Sequence, residues 1–547
     1  AFPPPTVDVS ATRSKLGITA RQWFFLFTIV APLAVLALGL WWWRSALWGL
    51  VVVVAIIAVG THDLLQRRRS LLRIYPVLGH GRFLAERIRP EIQQYFVESD
   101  TNGTPFTREI RSAVYQRAKH ENDALPFGTQ RLVYEPGYEY LAHSLAPTTT
   151  PDREPRLQIG GPECAEPYAS SRLNISAMSF GALSPQAVEA LNAGAQRGGF
   201  AHNTGEGSVS PYHRVHGGDL IWQIGTGYFG CRTVDGGFDP DGFAATATTN
   251  QVKMIEVKLS QGAKPGHGGI LPGPKVSPEI AATRGVPVGQ TVVSPPVHRT
   301  FDDPIGLLQF VSQLRELSGG KPVGFKLCVG RRHEFLAIAR AMLETGQTPD
   351  FITVDGGEGG TGAAPLELSD FVGMPMRDAV HFVDSTLRGA GLRDRVRVLA
   401  AGKVATGMDM VRALALGADG TNAARSMMLA LGCIQSRRCH DNTCPVGVAT
   451  QDPGRARGLV VENKAQRVAA YHQETVEAFL QLTASMGCED PVDLDRGHVM
   501  RRIDERTVAS YDQLYPVLAT GSLLESGDAV PPEWRAAWAA VRPDSFA

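Results

Sequence analysis

The 547-residue chain has no excess of either charge: 54 Lys and Arg balance 54 Asp and Glu. That balance removes any global electrostatic argument for nucleic acid or another polyanion as partner. Cysteine is scarce, seven in all. So few in so long a chain make no disulfide framework, and an odd number leaves at least one thiol unpaired, which favours a reducing compartment. There is no short-period repeat, so the 58 glycines and 36 prolines read as many tight loops rather than collagen or low complexity. With 44% hydrophobic residues the bulk of the chain is not disordered, and its length allows several domains.

Charge is also missing locally. No ionisable residue lies between Phe24 and Trp43, and after Arg44 and Ser45 a second uncharged run covers Ala46 to Thr61. About 20 apolar residues are needed to cross a hydrocarbon core of about 30 Å. Trp41, Trp42, Trp43 and Trp48 flank Arg44 like an interfacial aromatic belt at the turn between two helices. A transmembrane hairpin over 23–62 is therefore expected, with residues 1–22 before it. Arg13, Lys15 and Arg21 precede it and Arg67, Arg68, Arg69 and Arg73 follow, so both ends are expected on the cytoplasmic face of a bacterial inner membrane. A secretory signal would have a shorter apolar region and a small-residue cleavage site instead of a second span.

Residues 63–154 are mixed and charged, and read as a linker with a small covering subdomain. From Leu173 to Thr450 short β-branched runs alternate with amphipathic helical segments, closed by glycine-rich loops: LNISAMSFG, KMIEVKLS, KPVGFKLCVG, FITVDGGEGG, VRVLAAGKVATG. Such alternation means βα units and a parallel sheet. Its extent, with no opening GxGxxG, fits an α/β (β/α)8 barrel, here given the bounds 155–453, better than a doubly wound sheet. Residues 454–547 are expected to form a helical extension.

Cys433, Cys439 and Cys444 in CIQSRRCHDNTCPVG form the sharpest local signal. Clustered soft ligands without a histidine pair favour an iron–sulfur cluster over zinc, although His440 could complete a tetrahedral zinc site; three buried structural thiols are the plain alternative. Cys164, Cys231, Cys328 and Cys488 are scattered and read as ordinary buried thiols.

CIQSRRCHDNTCPVGVATQDP resembles the segment of the glutamate synthase family that ligates a 3Fe-4S cluster. KLSQGAKPGHGGILPGPKV (Lys258 to Val276) is similar to the family's 2-oxoglutarate loop, and SAMSFGALS (Ser176 to Ser184), NTGEG (Asn203 to Gly207), VVSPPVH, GGTGAAP and LRDRVRV occur in the family's order. The resemblance covers roughly Leu173 to Pro453 and implies an FMN-binding barrel that reduces the imine of 2-oxoglutarate, or a similar 2-oxo acid, and ammonia or another amine. It implies Lys258, Lys264 and Arg284 for the substrate's anionic oxygens, Gln261 as a neutral polar contact and Glu206 for ammonium and imine protons. For FMN it implies Ala177, Met178 and Ser179 at the ring, Lys326 near N1, Gln223 at the polar edge, and Gly359, Gly360, Thr361, Gly402, Lys403, Ala424 and Arg425 at the phosphate. Three departures stand out: GEGGTG at Gly357 to Gly362, Gly402-Lys403 in place of a double glycine, and GADGTNAARSM in the phosphate loop. With a start at Ala1-Phe2-Pro3 and no cysteine before Cys164, no glutaminase activity in cis is expected. Electrons are expected through the cluster from a donor protein such as ferredoxin, since no nucleotide-binding fingerprint is present. Membrane lipid is an expected partner, and a homo-oligomer is compatible. Two alternatives keep the cofactors: an N-methylglutamate synthase-like enzyme with a different amine, and a non-catalytic electron-transfer module. A 2-hydroxy-acid oxidase barrel would leave the cysteine triad without a purpose.

Overall fold

The computed structural model describes residues 18–121, 124, 126–151, 153–525 and 530–547. Arg13, Lys15 and the Ala1-Phe2-Pro3 start lie outside the described residues. The chain divides into two compact units, residues 1–98 and 99–547, a boundary inside the segment expected to be a linker.

In the first unit, helix Ala20–Trp41 is started by a capping box in which Thr19 and Gln22 exchange hydrogen bonds. A 3-10 turn, Arg44–Trp48, leads into helix Gly49–Leu65, so the chain turns in the tryptophan-rich segment. The helices approach closely because a Cβ at Gly60 would sit 2.1 Å from the Phe24 ring. The two 22-residue helical stretches, Ala20–Trp41 and Arg44–Leu65, are long and apolar enough to cross a membrane. Their apolar side chains, such as Ile29, Leu33 and Val51, face outward.

In the second unit eight parallel strands close a barrel in chain order: Leu173–Ile175, His202–Asn203, Leu220–Ile224, Val252–Lys258, Val323–Leu327, Phe351–Asp355, Arg397–Ala401 and Gly420–Ala423. The five runs singled out from sequence all hold barrel strands. Because side chains alternate along a strand, each strand feeds successive layers of the interior. The lowest layer is apolar, with Ile221, Met254, Phe351 and Leu399 packed together. Leu157 and Ile159 of the antiparallel pair Leu157–Ile159 and Tyr168–Ser170 plug that end. Two residues further along the same strands stand Gln223, Glu256 and Thr353, buried and hydrogen-bonded to one another. The interior thus turns from apolar to polar toward the carboxyl ends of the strands.

Residues 259–303, between the fourth strand and helix Pro304–Leu317, form a long excursion with a short antiparallel pair, Ile270–Leu271 and Val292–Val293, and helix Pro278–Arg284. In the C-terminal part, helix Val461–Ser485 packs on helix Pro185–Gly198, and the buried Tyr471 hydroxyl donates to the Ala405 carbonyl. The extension is not purely helical. Val499–Arg502 pairs with Val508–Ser510 and with Glu139–Leu141, an antiparallel sheet held by a contact some 360 residues apart along the chain, which no local pattern reveals.

Candidate functional site

A cavity of about 870 Å³ opens at the carboxyl end of the barrel, where barrel enzymes carry their sites. Of the twenty residues assigned from sequence, all but Gly402 line it; Gly402 lines an adjoining cleft shared with Lys326, Lys403, Ala424 and Arg425. Eight lysines and arginines face four carboxylates along the cavity wall, which suits an anionic ligand.

Ala177, Met178 and Ser179 follow the first strand. The NTGEG turn packs directly beneath them: Gly205 has φ +65°, and a Cβ there would lie 2.6 Å from the Ser179 nitrogen. That approach carries Glu206 into the cavity, where the Lys258 Nζ lies 3.2 Å from its Oε1. Burial works to raise the Glu206 carboxyl, but the charges of Lys258 and Arg284 outweigh it and hold the group below the ordinary range. Arg284, at the end of its short helix, donates to the Phe180 carbonyl at 2.8 Å, and burial lowers its guanidinium to about 10. Lys264 donates to the Ala363 carbonyl at 3.0 Å and is lowered by burial and then by the neighbouring Lys258. Gln261 completes this wall. One carboxylate among three cations leaves positive charge in excess.

Lys326 stands in register with Lys258 on the adjacent strand. Its Nζ lies 3.1 Å from Asp355 Oδ2. Burial disfavours its charge, but Asp355 and Glu256 outweigh burial and raise it above an ordinary lysine. Gln223 is partly committed already, donating to Glu256 at 2.7 Å. Lys403 holds a left-handed backbone, φ +53°, and is lowered by burial and by the like charge of Arg425. Arg425 donates to the Glu358 carbonyl at 2.7 Å. The Glu358 carboxylate accepts from Met376 N at 3.0 Å, so the start of helix Met376–Gly389 is already capped by a side chain.

These residues fit a phosphorylated flavin. Lys403 and Arg425 offer charge beside Gly359, Gly360 and Thr361, and the buried Asn422 Oδ1, with no hydrogen-bond partner, lines the adjoining cleft. The cysteines also share one wall. Cys433, Cys439 and Cys444 are unpaired thiols, and burial pushes Cys433 up to about 12. The Lys275 ammonium donates to the Cys439 carbonyl at 2.8 Å; burial lowers it below an ordinary lysine, opposed in part by the nearby Cys439 and Cys444. Among the described residues no three Cys, His, Asp or Glu side chains converge on a single metal ion. A tetrahedral zinc site would need His440 as a fourth ligand, whereas a three-iron cluster needs only the three thiolates, each on a different iron. The soft donor set with an adjacent cation fits the latter.

Sequence reasoning missed Glu256, Asp355, Lys275 and Phe106. Glu256 was legible as the inward member of KMIEVK once the strand's alternation was counted. Asp355 ends a strand run, and Lys275 lay unassigned in a quoted motif. Phe106, buried and lining both cavities, comes from a distant segment and gave no signal.

The conserved region in glutamate synthase matches residues 145–489. The chain is 37% identical over 490 residues to the glutamate synthase large subunit-like protein YerD of Bacillus subtilis (strain 168), covering 82% of this chain and 93% of that protein. It is 36% identical over 313 residues to an archaeal glutamate synthase [NADPH] of Archaeoglobus fulgidus, covering 57% of this chain and 58% of that protein. Among solved structures, a mutant flavocytochrome b2 with pyruvate bound aligns at TM-score 0.40 and 13% identity, over 79% of this chain and 88% of its own. The match over more than half the chain, and the near full-length likeness to the Bacillus protein, show that this chain belongs to the glutamate synthase family and is a glutamate synthase-like oxidoreductase.

Proposed function

We propose that the chain is a membrane-anchored oxidoreductase that reduces the imine formed from 2-oxoglutarate, or a close 2-oxo acid, and ammonia. The observation that carries this reading is the cation wall: Lys258, Lys264 and Arg284 surround one carboxylate, Glu206, beside the Lys326 and Lys403–Arg425 sites. A dicarboxylate needs paired cations, and an electron relay would need none. Lys264 and Arg284 would hold the substrate's carboxylates. Lys258 would polarise the keto oxygen, releasing Glu206 to bind ammonium and to carry protons to and from nitrogen as carbinolamine loses water. Gln261 would add a neutral donor or acceptor. FMN, when bound, supplies the hydride and a 3Fe-4S cluster single electrons, the former held by Lys326, Lys403, Arg425 and the 359–361 backbone, the latter by Cys433, Cys439 and Cys444. The buried Lys326 ammonium would favour negative charge near the flavin ring. An electron-donor protein such as ferredoxin would supply reducing equivalents.

The two apolar helices with exposed side chains support anchoring, and Arg67, Arg68, Arg69 and Arg73 after them support a cytoplasmic catalytic unit. The full chain, loaded with FMN and iron and given a chemical reductant, should convert 2-oxoglutarate and ammonium to glutamate. Consumption of no 2-oxo acid and amine pair would refute the reading; preference for a methylated amine would move the substrate assignment alone.

A further inference from the structure

The cysteine wall is braced by residues that precede the family-matched region, which begins at residue 145. Gln435, two residues after Cys433, sits in a left-handed conformation, φ +56°. Such a backbone is strained for a non-glycine residue and persists where surrounding bonds impose it. Those bonds are present. The Gln435 side-chain oxygen accepts from Phe106 N at 3.1 Å, and its amide nitrogen donates to the Thr104 and Phe106 carbonyls, each at 3.3 Å. Its own backbone N–H donates to Cys433 Sγ at 3.4 Å. A second tie reaches the same cysteine: the Tyr115 hydroxyl, on helix Arg108–Arg117, donates to the Cys433 carbonyl at 2.6 Å. Phe106 is itself pinned, buried with the Arg425 guanidinium 5.2 Å over its ring. Segment 104–115 is thus stitched to the residue that would ligate iron, on one side, and to the arginine that would face the flavin phosphate, on the other.

We propose that Gln435 is a positioning residue through which segment 104–115 sets the reduction potential and retention of the cluster at Cys433. This rests on the reading of the cysteine triad as a cluster site. The side-chain bonds to residues 104 and 106 hold the left-handed turn that aims the Gln435 N–H at the sulfur. A hydrogen bond to a ligating sulfur stabilises the more negative, reduced cluster and so raises its potential. The three bonds from Gln435 and the one from Tyr115 act on the same turn, so loosening either side should act in the same direction.

The test uses the full-length holoprotein and two variants. Gln435→Asn keeps an amide and a residue type tolerant of left-handed backbone but is one methylene too short to reach residues 104 and 106. Tyr115→Phe removes only the hydroxyl. Redox titration followed by EPR of the oxidised three-iron signal should show a lower midpoint in both variants, and incubation with an iron chelator should strip the cluster several-fold faster. The flavin spectrum and flavin content should match the wild-type protein. A wild-type signal with midpoints and stripping rates unchanged in the variants overturns the inference alone. So does a fall in thermal stability with an unchanged midpoint, which would mark the contacts as structural only. No three-iron signal in the loaded wild-type protein overturns the cluster reading and the inference with it.

Discussion

Replacing Lys326 by Met removes the cation that, among the described residues, pairs directly with Asp355 inside the barrel, while keeping the length of its stem. Lys326 is 5% exposed and Asp355 7%, so neither charge can be left to water. Removing one member of a buried ion pair costs about 3–5 kcal/mol, because the other is stranded. Here the stranded groups keep partial support. Asp355 Oδ2 still accepts from Gly262 N at 3.0 Å, and Glu256 still accepts from Asn203, Gln223 and Thr353 at 2.8, 2.7 and 2.6 Å. The loss is accordingly placed at the lower end, about 3 kcal/mol. Denaturant titration of the full chain measures it, with Asp355→Asn and the double variant completing a thermodynamic cycle. The double variant should be less destabilised than the two single losses added together. Flavin content read from absorbance should fall in Lys326→Met, since the proposed site loses its central cation. The pH dependence has a definite sign: Lys326 is raised in the folded state, so its contribution is complete below about pH 10.5 and is lost as pH rises through its folded value. A Lys326→Met protein within about 0.5 kcal/mol of wild type, with additive single variants, would refute the account of a charge-compensated barrel interior.

The Glu139 side chain, 2% exposed, accepts from Tyr511 at 2.9 Å and pairs with Arg412 at 2.7 Å, and also with Arg377; Glu139→Gln should lower stability by about 3–5 kcal/mol in a denaturant titration and leave the flavin site intact. A Cβ at Gly269 would lie 2.1 Å from Glu206 Oε1, so Gly269→Ala should displace the carboxylate from Lys258 and reduce kcat at least tenfold with flavin content unchanged, as steady-state kinetics on the proposed substrates would show. Buried His202 and His472 are each lowered to about 3 by burial; as pH falls from about 6.5 toward 3 the unfolded chain takes up protons that the folded one refuses, costing about 1.4 kcal/mol per pH unit for each. Since both His202 ring nitrogens lack partners, His202→Leu should flatten that slope without a large stability loss at neutral pH.

How much could be read in advance depended on how far apart the interacting residues lie in sequence. The apolar runs Phe24 to Trp43 and Ala46 to Thr61 specify helices of membrane-crossing length through composition alone, and the βα alternation specifies the barrel because each strand and its helix carry their own periodicity. Three strands, His202–Asn203, Leu220–Ile224 and Gly420–Ala423, were not among the runs singled out: the first and last carry too few apolar residues to show a period, and Leu220–Ile224 is buried on both faces and so shows no alternation. The motifs named the cations, the glycine loops and the three cysteines in order along the chain, but order is not proximity. Closure of eight strands is what brings Ala177 and Cys444 to one cavity. Only the tertiary structure revealed the buried polar layer around Glu256, the capping of helix Met376–Gly389 by Glu358, the pairing of Glu139–Leu141 with the C-terminal sheet, and the bracing of Cys433 by Phe106 and Gln435. Local sequence encodes which backbone conformation a segment prefers; which distant side chains then share a buried volume is settled by packing and by the cost of leaving a buried charge or polar group without a partner.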